Sequence, residues 1–197
     1  MRRLLNLIRR DERGVTVIEF AVILPTFLLM LIGTFDIGYQ VYLRATLSGA
    51  VQAAARASAL EGGPSSIASI DNTVRKQVQS LAPEADITFN RKSYFSYNDV
   101  ARAEAFADSN GNSVCDNNES YEDENGNSLW DKDVGKGGVG GARDVVQYNV
   151  NVTYDQLFPL WKLVGGSKRV TISSTTVFRN QPYDSQTKAE SVTRTCS

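Results

Sequence analysis

The chain has 197 residues, enough for a membrane anchor and one modest globular domain, and hydrophobic residues make up 42% of it, which argues against wholesale disorder. The net charge of -1 gives no sign of a nucleic-acid partner. There is no histidine, which removes the commonest general base and transition-metal ligand, and no nucleophile elbow or paired-acid motif is present. We therefore expect neither enzymatic activity nor a small-molecule substrate.

The N-terminal region predicts a single membrane-spanning helix over residues 15–43. The stretch FAVILPTFLLMLIGTF, between Glu19 and Asp36, has no charge, and with its flanks it reaches the roughly twenty residues that a helix needs to cross hydrocarbon. Five arginines precede this stretch and the next is Arg44, so the positive-inside rule places the N-terminus in the cytoplasm and everything after the span outside. Asp36 is expected to be a solvated acid at the membrane boundary.

The basic leader does not end like an ordinary secretory signal, because its small residue, Gly14, precedes the apolar core instead of following it. Cleavage between Gly14 and Val15 would make Glu19 the fifth residue of the mature chain. This arrangement resembles the precursors of type IV pilins. Within that class, residues 10–59 are similar to TadE-like pseudopilins of the tight-adherence (Flp, type IVc) pilus system, and STTVFRNQPY at 174–183 is similar to the C-terminal ending of that family. Phe20 follows Glu19, where major Flp pilins more often have tyrosine, so a minor pilin is the better match.

The resemblance implies a protein of the bacterial inner membrane whose bulk is periplasmic or extracellular. It also implies cleavage after Gly14 by a prepilin peptidase, and association with other pilin and minor pilin subunits in assembling or priming a pilus. In type IV pilins the carboxylate equivalent to Glu19 pairs with the N-terminal amine of a neighbouring subunit, here Val15, and so sets the register between subunits. Two alternatives stay open: Glu19 is a carboxylate that snorkels to the interface, and the protein is an unprocessed, membrane-anchored calcium-binding adhesion protein.

The remaining pattern predicts an α+β fold, in which one long helix packs on a small antiparallel sheet as in pilins. Apolar residues at helical spacing extend the first helix to about residue 60, and a second helix is expected over 66–81. Alternating or β-branched stretches predict strands at 85–91, 145–154 and 168–180, whose order is not readable. The glycine-rich stretch 135–141 is expected to be a flexible linker. The predicted organisation is a leader at 1–14, a transmembrane segment at 15–43 and an extracytoplasmic domain at 44–197.

An acidic insert at 108–133 contains the repeat DSNGNSVCD and DENGNSLWD, offset by fifteen residues. The repeat places oxygen donors at the spacing of a calcium loop of EF-hand type. The first copy offers the side chains of Asp108, Asn110, Asn112, Asp116 and Glu119 and the carbonyl of Val114. The second offers the side chains of Asp123, Asn125, Asn127 and Asp131 and the carbonyl of Leu129.

The second copy has Val134 at its twelfth position, so it is expected to bind calcium less tightly or to share ligands. The glycines stand at position four of each copy and not at position six as in EF-hands, so calcium-loop chemistry is predicted without an EF-hand pair. The alternative is a solvated, flexible insertion, since Asp, Asn, Gly and Ser are ordinary loop residues.

Two cysteines, Cys115 and Cys196, lie far apart and form no CxxC pair, which argues against a zinc site or a thioredoxin-like centre. In an oxidising compartment a single disulfide between them is expected. Such a bond would pin the first loop of the insert to the C-terminal tail.

Overall fold

The computed structural model describes residues 13–61, 67–158, 160, 162, 165–182, 184–188 and 190–196. The first twelve residues of the predicted leader lie outside this part of the chain. The described helices are α1 (Arg13–Glu61) and α2 (Ile67–Gln79), and the strands are β1 (Asp86–Tyr94), β2 (Ser120–Asp123), β3 (Lys136–Gly137), β4 (Val145–Asp155), β5 (Arg169–Arg179) and β6 (Val192–Thr195). The predicted α+β class, with a long N-terminal apolar helix and a small antiparallel sheet, is confirmed.

Helix α1 runs for 49 residues and contains Pro25. Its first half exposes large apolar side chains on all sides, such as Val22 and Met30, each more than 70% exposed. It is the one helix among the described residues that is long and apolar enough to cross a membrane. Because a surface helix of a water-soluble domain hides its apolar stripe, an all-round apolar surface fits a bilayer.

The described residues divide into two compact units. One takes the chain through Tyr42 together with Asp155–Val170, and the other takes Leu43–Tyr154 together with the chain from Thr171. The second unit contains α2, the C-terminal part of α1 and nearly all of the sheet.

A four-stranded sheet has the order β3-β1-β4-β5. Strands β1 and β4 are antiparallel, with Phe89 opposite Val150 and Arg91 opposite Tyr148. Along β4 every second side chain is buried, as the alternating pattern predicts: Val146, Tyr148, Val150, Val152 and Tyr154. The predicted second helix and the three predicted strands are all present.

The core of the second unit lies between the helices and one face of this sheet. Leu43, Leu47 and Val51 of α1 and Val78 of α2 are inaccessible to solvent. Asp71 fixes α2 to the sheet, because it pairs with the Arg91 guanidinium through two hydrogen bonds and accepts one from the Tyr148 hydroxyl at 2.7 Å.

The stretch 135–141, expected to be a flexible linker, instead contains a short strand, while residues 138–141 are irregular. Lys136 and Gly137 form β3 and pair with Ser93 and Lys92 at the edge of the sheet. A Cβ on Gly135 would lie 2.6 Å from the Tyr94 ring, so this glycine permits a close approach of backbone to an aromatic side chain.

The expectation of a solvated Asp36 is also wrong. Asp36 is only 8% exposed, and its Oδ1 has no hydrogen-bond partner among the described residues. The physical reason is helical periodicity: Asp36 lies two turns before Leu43, on the face of α1 that becomes the buried stripe.

Candidate functional site

The residues around the predicted cut site belong to the first turns of α1. The backbone of Gly14 and Val15 is helical. Glu19, one turn later, is exposed between the exposed apolar side chains of Ile18 and Phe20. Among the described residues Glu19 has no ion-pair partner. In a bilayer, a carboxylate that projects from an apolar helix surface is costly unless another group pairs with it.

The first loop of the insert is organised around the carboxylate of Asp108. This carboxylate accepts hydrogen bonds from the backbone N–H groups of Gly111, Asn112 and Ser113 at 2.7–3.1 Å. Gly111 and Ser113 both have positive φ, at 74° and 61°. These left-handed residues bend the backbone around the acid, which explains why glycine and a small residue stand at the two positions.

The second loop repeats this geometry fifteen residues later. Asp123 accepts from the N–H groups of Gly126, Asn127 and Ser128 at 2.7–3.1 Å, and Gly126 and Ser128 have φ of 78° and 67°. In the first loop the side-chain amides of Asn110 and Asn112 both donate to Asp116, and in the second those of Asn125 and Asn127 both donate to Asp131. The internal sequence repeat is therefore also a structural repeat.

The two loops differ in which glutamate accepts hydrogen bonds from two of their backbone N–H groups. In the first, Glu119 accepts from the N–H of Ser109 at 2.7 Å and from that of Asp116 at 2.9 Å. In the second, the corresponding N–H groups of Glu124 and Asp131 donate to Glu104, at 2.9 and 3.1 Å. Glu104 thus stands where the local repeat has Val134. The repeat alone could not reveal it, because Glu104 precedes both copies.

Glu104 is positioned at the second loop by a short antiparallel pairing of the residues that follow it with β2. The backbone of residues 105–107 runs beside β2, with N–H to carbonyl bonds from Glu122 to Ala105 and from Ala107 to Ser120. This register leaves Glu104 beside the end of β2, where the second loop begins. Glu104 is 1% exposed, and its own carbonyl accepts from Trp130 Nε1 at 3.0 Å.

The C-terminal strand β6 closes the other side of β2. It pairs antiparallel with β2, with Tyr121 opposite Arg194. Cys115 and Cys196 are bonded in the structure, and the Cys196 N–H donates to the Glu119 carbonyl at 2.9 Å. The disulfide therefore joins the first loop to the tail directly after β6.

The electrostatic surroundings of the two loops also differ. Burial alone would raise the pKa of Asp123, but the hydrogen bond from Arg194 Nε at 2.7 Å and those from Ser128 and Gly126 hold it below its usual value. Asp116 has its pKa lowered by the amides of Asn110 and Asn112. The second loop therefore contains a cation against its first acid, whereas within the described part of the chain Asp108 accepts only from backbone groups.

The predicted calcium ligands lie within these two loops, but their acids are engaged in hydrogen bonds. Among the described residues no three His, Cys, Asp or Glu side chains converge as a metal site. The Asn110 and Asn112 amides present nitrogen, not oxygen, to Asp116. The donor types and their spacing suit a hard cation, and the side-chain arrangement is that of a hydrogen-bonded loop.

Comparison with known proteins gives a match in the N-terminal part of the chain. The model of the family described as TadE-like protein matches residues 14–56. No curated protein and no solved structure matches the chain. The match covers Gly14, Val15, Glu19 and the apolar part of α1, and the TadE-like family is pilus-associated and typically structural. Residues 14–56 are thus a TadE-like segment, and the resemblance to TadE-like proteins is confirmed.

Proposed function

We propose that this protein is a non-enzymatic minor pilin, or pseudopilin, that a prepilin peptidase cleaves after Gly14 and that acts in assembling or priming a tight-adherence pilus. One observation carries the proposal: the TadE-like match begins at Gly14 and covers a helix whose first half exposes apolar side chains all round. Its partners are the peptidase and other pilin and minor pilin subunits in the bacterial inner membrane.

Glu19 has a defined part in this proposal. Glu19 lies one helical turn after Val15, about 6 Å along the axis at 1.5 Å per residue, so its exposed carboxylate stands about one turn from the end of the cleaved helix. An amine on a neighbouring subunit displaced along the helix axis can reach it. Such an ion pair, away from water, leaves a stranded charge when one partner is lost, so it penalises other registers.

The cleavage step is tested by N-terminal sequencing of the protein from cells that express a prepilin peptidase. We expect VTVIEF as the mature N-terminus. Gly14→Val should leave the leader attached, because a branched side chain would occupy the space that glycine leaves open. An intact leader in the unmodified protein would overturn the proposal and favour an unprocessed membrane-anchored adhesion protein.

The register role is tested with three variants of Glu19. Glu19→Ala and Glu19→Gln should insert in the membrane and be cleaved, yet recover with sheared pili far less than the unmodified protein, whereas Glu19→Asp should retain part of the assembly. Thr34→Ala, an exposed polar substitution in the same helix, is the matched control. Normal assembly of Glu19→Gln would refute an ionic role.

For the acidic insert we propose calcium binding, with the first loop as the stronger site. Its Asp108, Asp116 and Glu119 have no cationic partner among the described residues, whereas Asp123 of the second loop is paired with Arg194. Occupancy would require the Asn110 and Asn112 amides to turn their oxygens inward. Calorimetry of the full chain in detergent should give calcium binding that Asp108→Asn weakens much more than Asp123→Asn. Absence of binding in the millimolar range would leave a hydrogen-bonded loop.

A further inference from the structure

The connection between β4 and β5 has an unusual composition for a hairpin that faces water. Residues 156–168 read QLFPLWKLVGGSK, with apolar residues concentrated in the first nine positions. Leu157 is 55% exposed and Phe158 is 37% exposed. Loop tips are normally polar, because exposed apolar side chains gain nothing in water, so this composition calls for an apolar surrounding.

The base of the tip is closed and charged. The Gln156 N–H donates to the Lys168 carbonyl at 3.0 Å. Beside it, the Asp155 carboxylate pairs with Lys168 Nζ at 2.6 Å and approaches Arg169 Nε at 3.8 Å. A narrow polar base below an apolar tip is the distribution expected of a segment that crosses from water into the boundary of a bilayer.

The tip lies beside the membrane-spanning part of α1. A Cβ placed on Gly33 would be 3.9 Å from Leu160 Cδ1, so the two residues are in contact range. Gly33 is about 26 Å along the helix from Thr16 at 1.5 Å per residue, which is within the roughly 30 Å of a hydrocarbon core. Leu160 therefore reaches a level of the helix that is still inside the bilayer, near its outer boundary.

We infer that the β4–β5 tip is a second membrane contact, in which Leu157, Phe158 and Leu160 enter the outer leaflet beside α1. The occupant of the tip's apolar surface is lipid, because the surface is continuous with the apolar side of the spanning helix at Gly33. The inference rests on the membrane span of α1 and on no other part of the proposed function.

The test is depth-dependent quenching of tryptophan fluorescence in the full-length protein, reconstituted in phosphatidylcholine vesicles. The parent is Trp161→Phe, which keeps Trp130 as an internal reference in the acidic insert. Phe158→Trp reports on the tip, Phe27→Trp on the middle of the span, and Leu129→Trp, at a position that is 65% exposed, on the insert. Lipids brominated near the headgroup and near the chain middle serve as quenchers.

We expect lipid brominated near the headgroup to reduce the added emission of Phe158→Trp about twofold, because interfacial segments lie about 5–10 Å into the headgroup boundary. Phe27→Trp should be quenched more by lipid brominated at the chain middle, and Leu129→Trp by neither. If Phe158→Trp misfolds, Leu157→Trp replaces it.

Quenching of Phe27→Trp without quenching at the tip would overturn this inference and leave the span intact. If Phe27→Trp is not quenched, both the assignment of α1 as a membrane-spanning helix and this inference are refuted. Tip quenching that disappears as the protein density in the vesicles rises would assign the surface to a second copy of the chain and would likewise overturn the inference.

Discussion

Replacing Glu104 by glutamine should destabilise the acidic insert, although the substitution keeps the size and shape of the side chain. Glu104 is buried, with 1% of its surface exposed, and both carboxylate oxygens accept backbone hydrogen bonds. Oε1 accepts hydrogen bonds from the N–H of Glu124 at 2.9 Å and from that of Asn125 at 3.4 Å, and Oε2 accepts one from that of Asp131 at 3.1 Å.

The amide of glutamine can satisfy only one of the two sides. With its oxygen toward Glu124, its NH₂ group would face the Asp131 N–H, a donor against a donor. One hydrogen bond to a charged group is then lost, worth about 1.5–3 kcal/mol, and a buried N–H is left without an acceptor. Because these two costs overlap, we expect the free energy of unfolding to fall by about 3 kcal/mol.

The measurement is urea unfolding of the full-length protein in detergent micelles with EDTA present, so that calcium makes no contribution. Trp130 is a local reporter in a Trp161→Phe background, because its Nε1 donates to the Glu104 carbonyl and its ring packs edge-on to Phe106. Glu84→Gln, at an exposed position, is the matched control. A loss below about 0.5 kcal/mol for Glu104→Gln would refute the role assigned to its charge, since surface substitutions give changes of that size.

Three further predictions concern the same region. The double variant Cys115→Ser/Cys196→Ser should lose about 4 kcal/mol of unfolding free energy in urea, because the bond closes a loop with a sequence separation of 81; a loss below about 1 kcal/mol would contradict this. The pKa of Asp123 is lowered in the folded state, so its stabilising contribution is complete above the unfolded pKa of about 3.9 and is lost as the pH falls through the folded pKa. The urea concentration at the unfolding midpoint should therefore decrease when the pH is lowered below about 4, and it should decrease less in Asp123→Asn. In hydrogen exchange the Ser128 amide should be more protected than the Ser113 amide, because its acceptor is buried; equal protection would count against this.

Much of the fold could be predicted because its patterns are local. The alternation along β4 and the apolar run of α1 are visible at periods of two and of about 3.6 residues, and both elements lie where the patterns place them. The membrane-spanning length and the TadE-like motif also depend on contiguous residues. Features of this kind need no knowledge of which strand neighbours which.

The unpredicted features all depend on contacts between distant residues. The pairing of β2 with β6 joins residues about 70 apart, and β3 is only two residues long. These three strands are too short for an alternating pattern to distinguish them from a loop. The burial of Asp36 likewise required knowing which face of α1 becomes covered, and its charge suggested the opposite.

The two loops of the insert separate local from non-local causes within one molecule. Both contain the segment NGNS, and both fold it the same way around a preceding aspartate, with the same two left-handed residues. The local sequence is therefore sufficient for the turn. It is not sufficient for the anchoring acid, because Glu119 follows the first loop in the chain whereas Glu104 reaches the second across β2. A calcium-loop pattern that includes only residues later in the chain therefore contains Glu119 but not Glu104. The second loop consequently forms fully only when residues 105–107 pair with β2.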